Sequence, residues 1–327
     1  MPQSSDTKRP KVENNTSPIA VVGAGSIGTG FVLVFAMAGR KVQVYDPSQK
    51  QRNAVRGRIV ELVHDLLEFG LTEQDEHTVL ANVHVMDELA DTLNHVEYVQ
   101  ECGPERLDLK RKIFEELDKL APQHAVLASS SSAIPSSQFA TGLECGSRCL
   151  VVHPANPPFL IRLVEVVPSV LTTSDTVQQT CSLLESVDLS PFLVNKEPLG
   201  FAFNRLQGAL LREAYCLVRD GIVTVEDIDH LVRDGLGLRW SVTGPFETVD
   251  LNTRGGIVSH AEKLGPAYAA MGAERGQHDP WTAKLVKKVE AERRVMLPLA
   301  GWQERVRWRE RKLMALISNR RLQNIHD

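Results

Sequence analysis

Along this chain the spacing of apolar positions switches repeatedly between a strand-like and a helix-like period. Ile19-Ala20-Val21-Val22 is a continuous apolar run of strand length. Thr29 to Ala38 is apolar at helical spacing, with Gly39 placed to end that helix. Lys41 to Tyr45 alternates as a half-buried strand. From Arg52 to Leu71 the residues Val55, Ile59, Val60, Leu62, Val63, Leu66 and Leu67 recur at steps of three and four, which predicts a helix. Val83 to Val85 and Val96 to Gln100 predict short strands flanking a polar-faced helix from Met86 to His95. A turn at Glu101-Cys102-Gly103-Pro104-Glu105, a helix from Leu107 to Leu120 and a strand from Ala125 to Ala128 follow. Val151-Val152 ends another buried strand, and Leu163 to Val167 forms the next apolar run. Strands alternating with helices build a mainly parallel sheet, so the predicted class is α/β, a Rossmann-type doubly wound domain.

Near Pro198 the pattern changes. From Gly200 onward the chain lacks strand-length β-branched runs, and Phe201 to Val218 and Val225 to Val232 read as amphipathic helices. The expected organisation is a disordered N-terminal arm over residues 1–17, a nucleotide-binding domain over 18–198 and an all-α domain over 199–327.

Composition narrows the function. With 327 residues, 43% of them hydrophobic, the chain can build a sizeable core, and a net charge of −4 gives no electrostatic reason to expect nucleic acid or an acidic membrane as partner. No window approaches the ~20 apolar residues of a membrane span. The N-terminus carries Asp6 and Glu13 and resembles neither a secretory signal nor a transit peptide, and Lys8 to Lys11 reads as a solvated charge run. Five scattered cysteines without paired metal-ligand spacing suit free thiols in a reducing compartment, so a cytoplasmic protein without a metal site is expected.

Three stretches carry chemistry. Gly23-Ala24-Gly25-Ser26-Ile27-Gly28 joins the first strand to the first helix, and Asp46 ends the second strand about twenty residues on, the pattern of a dinucleotide site. The glycines let backbone approach a pyrophosphate at the helix N-terminus, and Asp46 would accept from the ribose hydroxyls and repel a 2′-phosphate. NAD is therefore favoured over NADP, with Lys50 and Arg52 close enough in sequence to soften the preference. The competing reading is a glycine turn that merely packs a helix. Ser129 to Ser132 follow the strand Ala125 to Ala128, at the end where such sheets bind ligands; a polar loop capping the next helix is the alternative. His153, in Val-Val-His-Pro-Ala-Asn-Pro-Pro, and Glu165, in Leu-Val-Glu-Val-Val, can meet across neighbouring strands, as half of an acid/base site or as a satisfied core pair.

With these motifs the sequence resembles the 3-hydroxyacyl-CoA dehydrogenase family, and within it the lambda-crystallin branch of L-gulonate 3-dehydrogenases. The resemblance runs from about Ile19 to Asn252 through GAGSIG, QECGPERLDLK, ASSSSAIPSS, VVHPANPP with LVEVVP, GFAFNRLQ and GLGLRWSVTGPFETVDLN. It implies that His153 is the catalytic base with Glu165 as its partner, and that Ser132 and Asn204 hold the reacting oxygen and the histidine. It also implies that Ser26, Ile27, Asp46, Glu105 and Lys110 contact NAD; without it, Glu105 and Lys110 read as surface residues at a helix start. Arg239, in Gly235-Leu236-Gly237-Leu238-Arg239-Trp240, is a candidate for the cation that a sugar acid would need, with a surface ion pair as the competing reading. Oxidation of L-gulonate to 3-dehydro-L-gulonate by a homodimer is expected from the resemblance, with 3-hydroxyacyl-CoA or carnitine oxidation, or an idle crystallin-like NAD binder, as the competing functions. The C-terminal stretch Trp302 to Arg321 reads as a basic helix packed on the protein or a partner.

Overall fold

In the computed structural model, residues 17–276, 282–302, 304, 305, 308 and 319 are described. Residues 1–16 of the predicted arm and most of the predicted basic helix lie outside them. The chain packs as two compact units, Met1–Leu211 and Arg212–Asp327.

The first unit is built on an eight-stranded sheet. Its strands are β1 (Ile19–Val22), β2 (Val42–Tyr45), β3 (Val83–Val85), β4 (Tyr98–Glu101), β5 (Val126–Ser129), β6 (Cys149–Pro154), β7 (Leu163–Pro168) and β8 (Ser190–Leu193), in the order β3-β2-β1-β4-β5-β6-β7-β8. All neighbours are parallel except β6 and β7, so the expected doubly wound, mainly parallel sheet is present. Strand β8 was not expected, because Pro191 interrupts its pattern. Proline lacks the N–H that an inner strand needs, and β8 tolerates it at the sheet edge.

Side chains alternate between two cores, as a two-residue period requires. Ile19, Val21, Val126, Ala128, Leu150 and Val152 face a core shared with Phe31 and Phe35 of helix α1 (Ser26–Met37). Ala20, Val22, Leu127 and Val151 face the opposite core with Phe114 and Phe139. Gly39 ends α1 as expected, at φ 76°, where its N–H reaches the Ala36 carbonyl and that of Arg40 reaches Phe35.

Because β1, β2, β4, β5 and β6 run the same way, Gly23, Asp46, Glu101, Ser129 and His153 all fall at one edge of the sheet. The order reverses between β1 and β4, which makes the crevice outside their carboxyl ends the ligand-binding position.

The second unit is helical, with Pro245–Asn252, Gly256–Glu274 and Ala283–Met296 as its longer elements. Buried Asp250 ties them, accepting from Ile257 N and Arg294 while Trp302 Nε1 bonds its carbonyl. Helix Phe203–Arg219 spans the division between the units, and none of its 17 residues is buried. No described helix is long and apolar enough to cross a membrane.

Candidate active site

Each glycine of the first loop has its own reason. Gly23 lies at φ 110°, and a Cβ there would sit 2.7 Å from the Cys102 carbonyl oxygen; one on Gly28 would sit 1.8 Å from that of Gly23. Both are demanded by the protein. A Cβ on Gly25 would meet nothing within 4 Å, so packing does not explain that glycine. Gly25 caps α1 without a side-chain hydrogen bond, and the first N–H groups of a helix have no partner within it. Exposed Ser26 and half-buried Ile27 continue this cradle. The open side of Gly25 together with donor-rich backbone fits a dinucleotide pyrophosphate. Asp46 closes the site: Oδ2 accepts from Ala24 N at 2.8 Å and Oδ1 from Ser48 N at 2.8 Å. Each oxygen keeps a second lone pair for a ribose hydroxyl.

His153 and Glu165 stand directly opposite each other in the antiparallel pairing of β6 with β7. The Pro154 to Pro158 turn reverses the chain between them, and Gly30 of α1 lets Pro158 pack close, since a Cβ there would be 2.8 Å from the proline ring. His153 Nδ1 lies 2.6 Å from Glu165 Oε2, and the two residues are 7% and 2% exposed. Oε1 of the same carboxylate accepts from Ala202 N at 2.8 Å and Phe203 N at 3.0 Å. Burial pushes the Glu165 carboxyl up, but the hydrogen bonds from His153 and the two backbone groups outweigh it and hold it below its ordinary value. The carboxylate is thus ionised and cannot turn, which leaves His153 Nε2 as the ring nitrogen open to a substrate.

The serine loop after β5 is fixed by Glu105. Its Oε1 accepts from Ser131 Oγ at 2.6 Å and Ala133 N at 2.9 Å, and Ser132 N and Ile134 N also reach the carboxylate. Burial raises the Glu105 carboxyl, and these donors with nearby Lys110 bring it below its ordinary value. Asn204 Nδ2 donates to the Ser132 carbonyl at 2.9 Å, which joins the first turn of helix Phe203–Arg219 to the loop. The structure brings Asn204 to Ser132 rather than to the imidazole. Lys110 departs from the surface reading: it is 0% exposed, and its ammonium bonds Glu101 and Ser129.

Residues 18–197 match the 3-hydroxyacyl-CoA dehydrogenase NAD-binding domain and residues 200–296 match that enzyme's C-terminal domain. The chain belongs to the 3-hydroxyacyl-CoA dehydrogenase family. As a member it is an NAD-dependent oxidoreductase of CH–OH groups. It is 37% identical over 305 residues to a 3-hydroxyacyl-CoA dehydrogenase of Gibberella moniliformis, covering 92% of this chain and 94% of the relative. Against a lambda-crystallin homolog of Bos taurus the identity is 36%, with 91% and 94% covered. An L-carnitine dehydrogenase of Streptomyces coelicolor is 36% identical, with 85% and 84% covered.

In this family member Arg239 lies in the second unit, in the single helical turn Gly237–Trp240. That turn follows a wider π-helical one, Leu231–Leu236, and a Cβ on Gly237 would be 2.7 Å from the Val232 carbonyl. The Arg239 Nε is buried without a hydrogen-bond partner among the described residues. Sequence reasoning missed three residues that shape the site: Gly30, Glu101, and Glu197, which accepts from Ser137 N. A glycine two places after the dinucleotide motif and an acid at the end of an apolar strand were the available signals.

Proposed function

We propose that this dehydrogenase oxidises the 3-hydroxyl of a small hydroxy acid, converting L-gulonate to 3-dehydro-L-gulonate. The observation that carries the reading is the buried His153–Glu165 pair, with Nε2 left to the ligand side at the carboxyl edge of an NAD-binding sheet. Bound NAD supplies the hydride acceptor. His153 Nε2 takes the hydroxyl proton, and the ionised Glu165 stabilises the imidazolium that results. Ser132, on a loop pinned by Glu105 and Asn204, orients the reacting oxygen, and such positioning is a large part of the rate. Ser26, Ile27, Asp46 and the Gly23-Gly25-Gly28 loop hold the cofactor, with Glu105 acting through the loop it fixes.

An acid substrate is supported by Arg239, whose planar guanidinium suits a carboxylate and whose Nε is buried without a hydrogen-bond partner among the described residues. A thioester carries no charge for it to meet. The exposed Leu206, Leu211 and Tyr215 on helix Phe203–Arg219 support a homodimer, since a second copy would cover them. Five free cysteines support a reducing compartment, which we take to be the cytoplasm. Initial rates with NAD and L-gulonate, L-carnitine or 3-hydroxybutyryl-CoA test the substrate. The highest kcat/KM is expected with L-gulonate, and a preference of orders of magnitude for the thioester would overturn the assignment.

A further inference from the structure

Glu101 is a buried acidic residue at the carboxyl end of an inner strand, with no part in the proton or hydride steps above. It ends β4, in register with Val22 of β1 and Ser129 of β5, and is 0% exposed. Lys110, equally buried, places its Nζ 2.8 Å from Oε2 and 3.2 Å from Oε1. A buried ion pair is weak evidence for stability, because well-packed apolar residues of the same volume often serve as well. What distinguishes this pair is its remaining hydrogen bonds. Oε1 accepts from Gly103 N at 2.6 Å, and Oε2 accepts from Ser129 Oγ at 2.6 Å.

The two bonds lead to opposite halves of the active site. A Cβ on Gly103 would lie 2.7 Å from Oε1, and one on Gly23 would lie 2.7 Å from the Cys102 carbonyl, so the carboxylate sets the turn against which the dinucleotide loop rests. On the other side, Ser129 Oγ accepts from Lys110 Nζ and Ser131 N, each at 3.2 Å. Ser131 Oγ accepts from Ile134 N at 2.8 Å and donates to Glu105, which completes the serine loop that carries Ser132.

We propose that Glu101, with Lys110 as its counter-charge, is a positioning residue that sets the cofactor turn and the substrate-side serine loop together from one carboxylate. The substrate half rests on the reading of Ser132 as facing the reacting oxygen, and neither half depends on which hydroxy acid is oxidised.

Two variants separate this role from plain support of the fold. Ser129→Ala cuts the arm to the serine loop and leaves the ion pair and Gly103 in place. It should lower kcat by about tenfold to hundredfold, the scale of a small misplacement, with the NADH dissociation constant unchanged within about twofold. Glu101→Gln combined with Lys110→Met removes both charges, so that none is left buried and unpaired. The double variant should weaken NADH binding about tenfold and lower kcat as well, with its Tm near that of the wild type. NADH binding is read by fluorescence titration without substrate, kcat with whichever of the three substrates the wild type oxidises, and Tm by calorimetry. Wild-type NADH affinity and kcat in the folded double variant would overturn the proposal. So would a Ser129→Ala protein in which affinity falls as far as kcat; this second test holds if the double variant does not fold. Wild-type inactivity on all three substrates would defeat the substrate reading alone, because the NADH affinity of the double variant still decides the positioning role.

Discussion

Replacing Glu165 by glutamine should disable the histidine without disturbing its surroundings. Oε1 is fixed as an acceptor by the N–H groups of Ala202 and Phe203 at 2.8 and 3.0 Å. A glutamine must keep its carbonyl oxygen there and turn its NH2 toward His153 Nδ1. Nδ1 then has to accept, the ring proton moves to Nε2, and the imidazole presents an N–H where it should take a proton. Turning the amide over would instead leave two buried N–H groups without an acceptor, at about 1–3 kcal/mol each, or about 2–6 kcal/mol together. At about 1.36 kcal/mol per tenfold, the productive tautomer is suppressed about 30-fold to beyond 10⁴-fold. A kcat reduced about 10²- to 10⁴-fold is therefore expected, comparable with the amide-for-carboxylate exchange behind the histidine of a serine protease. The variant is isosteric, so the fold should be retained and NADH affinity should stay near wild type. Steady-state oxidation gives kcat, and imidazole 15N shifts report which nitrogen carries the proton. A variant that retains a third or more of wild-type kcat, or whose Nδ1 is still protonated, refutes the tautomer argument.

The glycine loop makes a paired prediction. Gly25→Ala should leave Tm unchanged or slightly raised while weakening NADH binding by at least about tenfold, whereas Gly28→Ala should lower Tm, because its Cβ would collide with the Gly23 carbonyl. Equal losses of Tm in the two would refute the assignment of Gly25 to the ligand. Asp46→Ser should narrow the preference for NAD over NADP in kcat/KM, since it removes the charge that repels a 2′-phosphate; an unchanged ratio counts against it. Glu165 is held below the ordinary glutamate value, so its contribution to stability is complete above that value and is lost as pH falls through the lower folded value. Tm should accordingly drop more steeply below about pH 5 in the wild type than in Glu165→Gln, and parallel curves would exclude the linkage. Arg239→Met should lower kcat/KM for L-gulonate by about 1.5–3 kcal/mol, with Arg239→Lys recovering only part; an undiminished kcat/KM removes Arg239 from the site.

What the sequence made legible was set by local rules. The βαβ rhythm of residues 19–129 is written in hydrophobic periods, and GAGSIG gains its meaning from the strand before it and the helix behind it. His153 and Glu165 could be expected to meet across neighbouring strands, because the prolines break the first strand and a second apolar run follows closely. Their position directly opposite each other depends on strand register, which side-chain pattern leaves open by steps of two. Strand β8 stayed hidden because its Pro191 signals a break unless the strand is known to lie at an edge. The first turn of helix Phe203–Arg219 was legible as a helix but not as the cap of the Glu165 carboxylate, a contact between residues 37 and 38 positions apart.

The burial of Lys110 was not legible in the sequence. Its place in QECGPERLDLK matches the family pattern, and a lysine early in a helix ordinarily reaches solvent or a phosphate. Here Glu101, nine residues earlier at the end of β4, draws the ammonium inward, and Ser129 takes the second bond. Lys110 is thus paired inside the protein with Glu101. His153, Glu165, Ser132 and Asn204 all belong to the first unit, while Arg239 belongs to the second. Relatives named for a hydroxyacyl-CoA and for carnitine lie at 37% and 36% identity. Likeness of that order to differently named relatives establishes the oxidation common to the family and not the group oxidised, so the comparison of the three substrates decides the assignment.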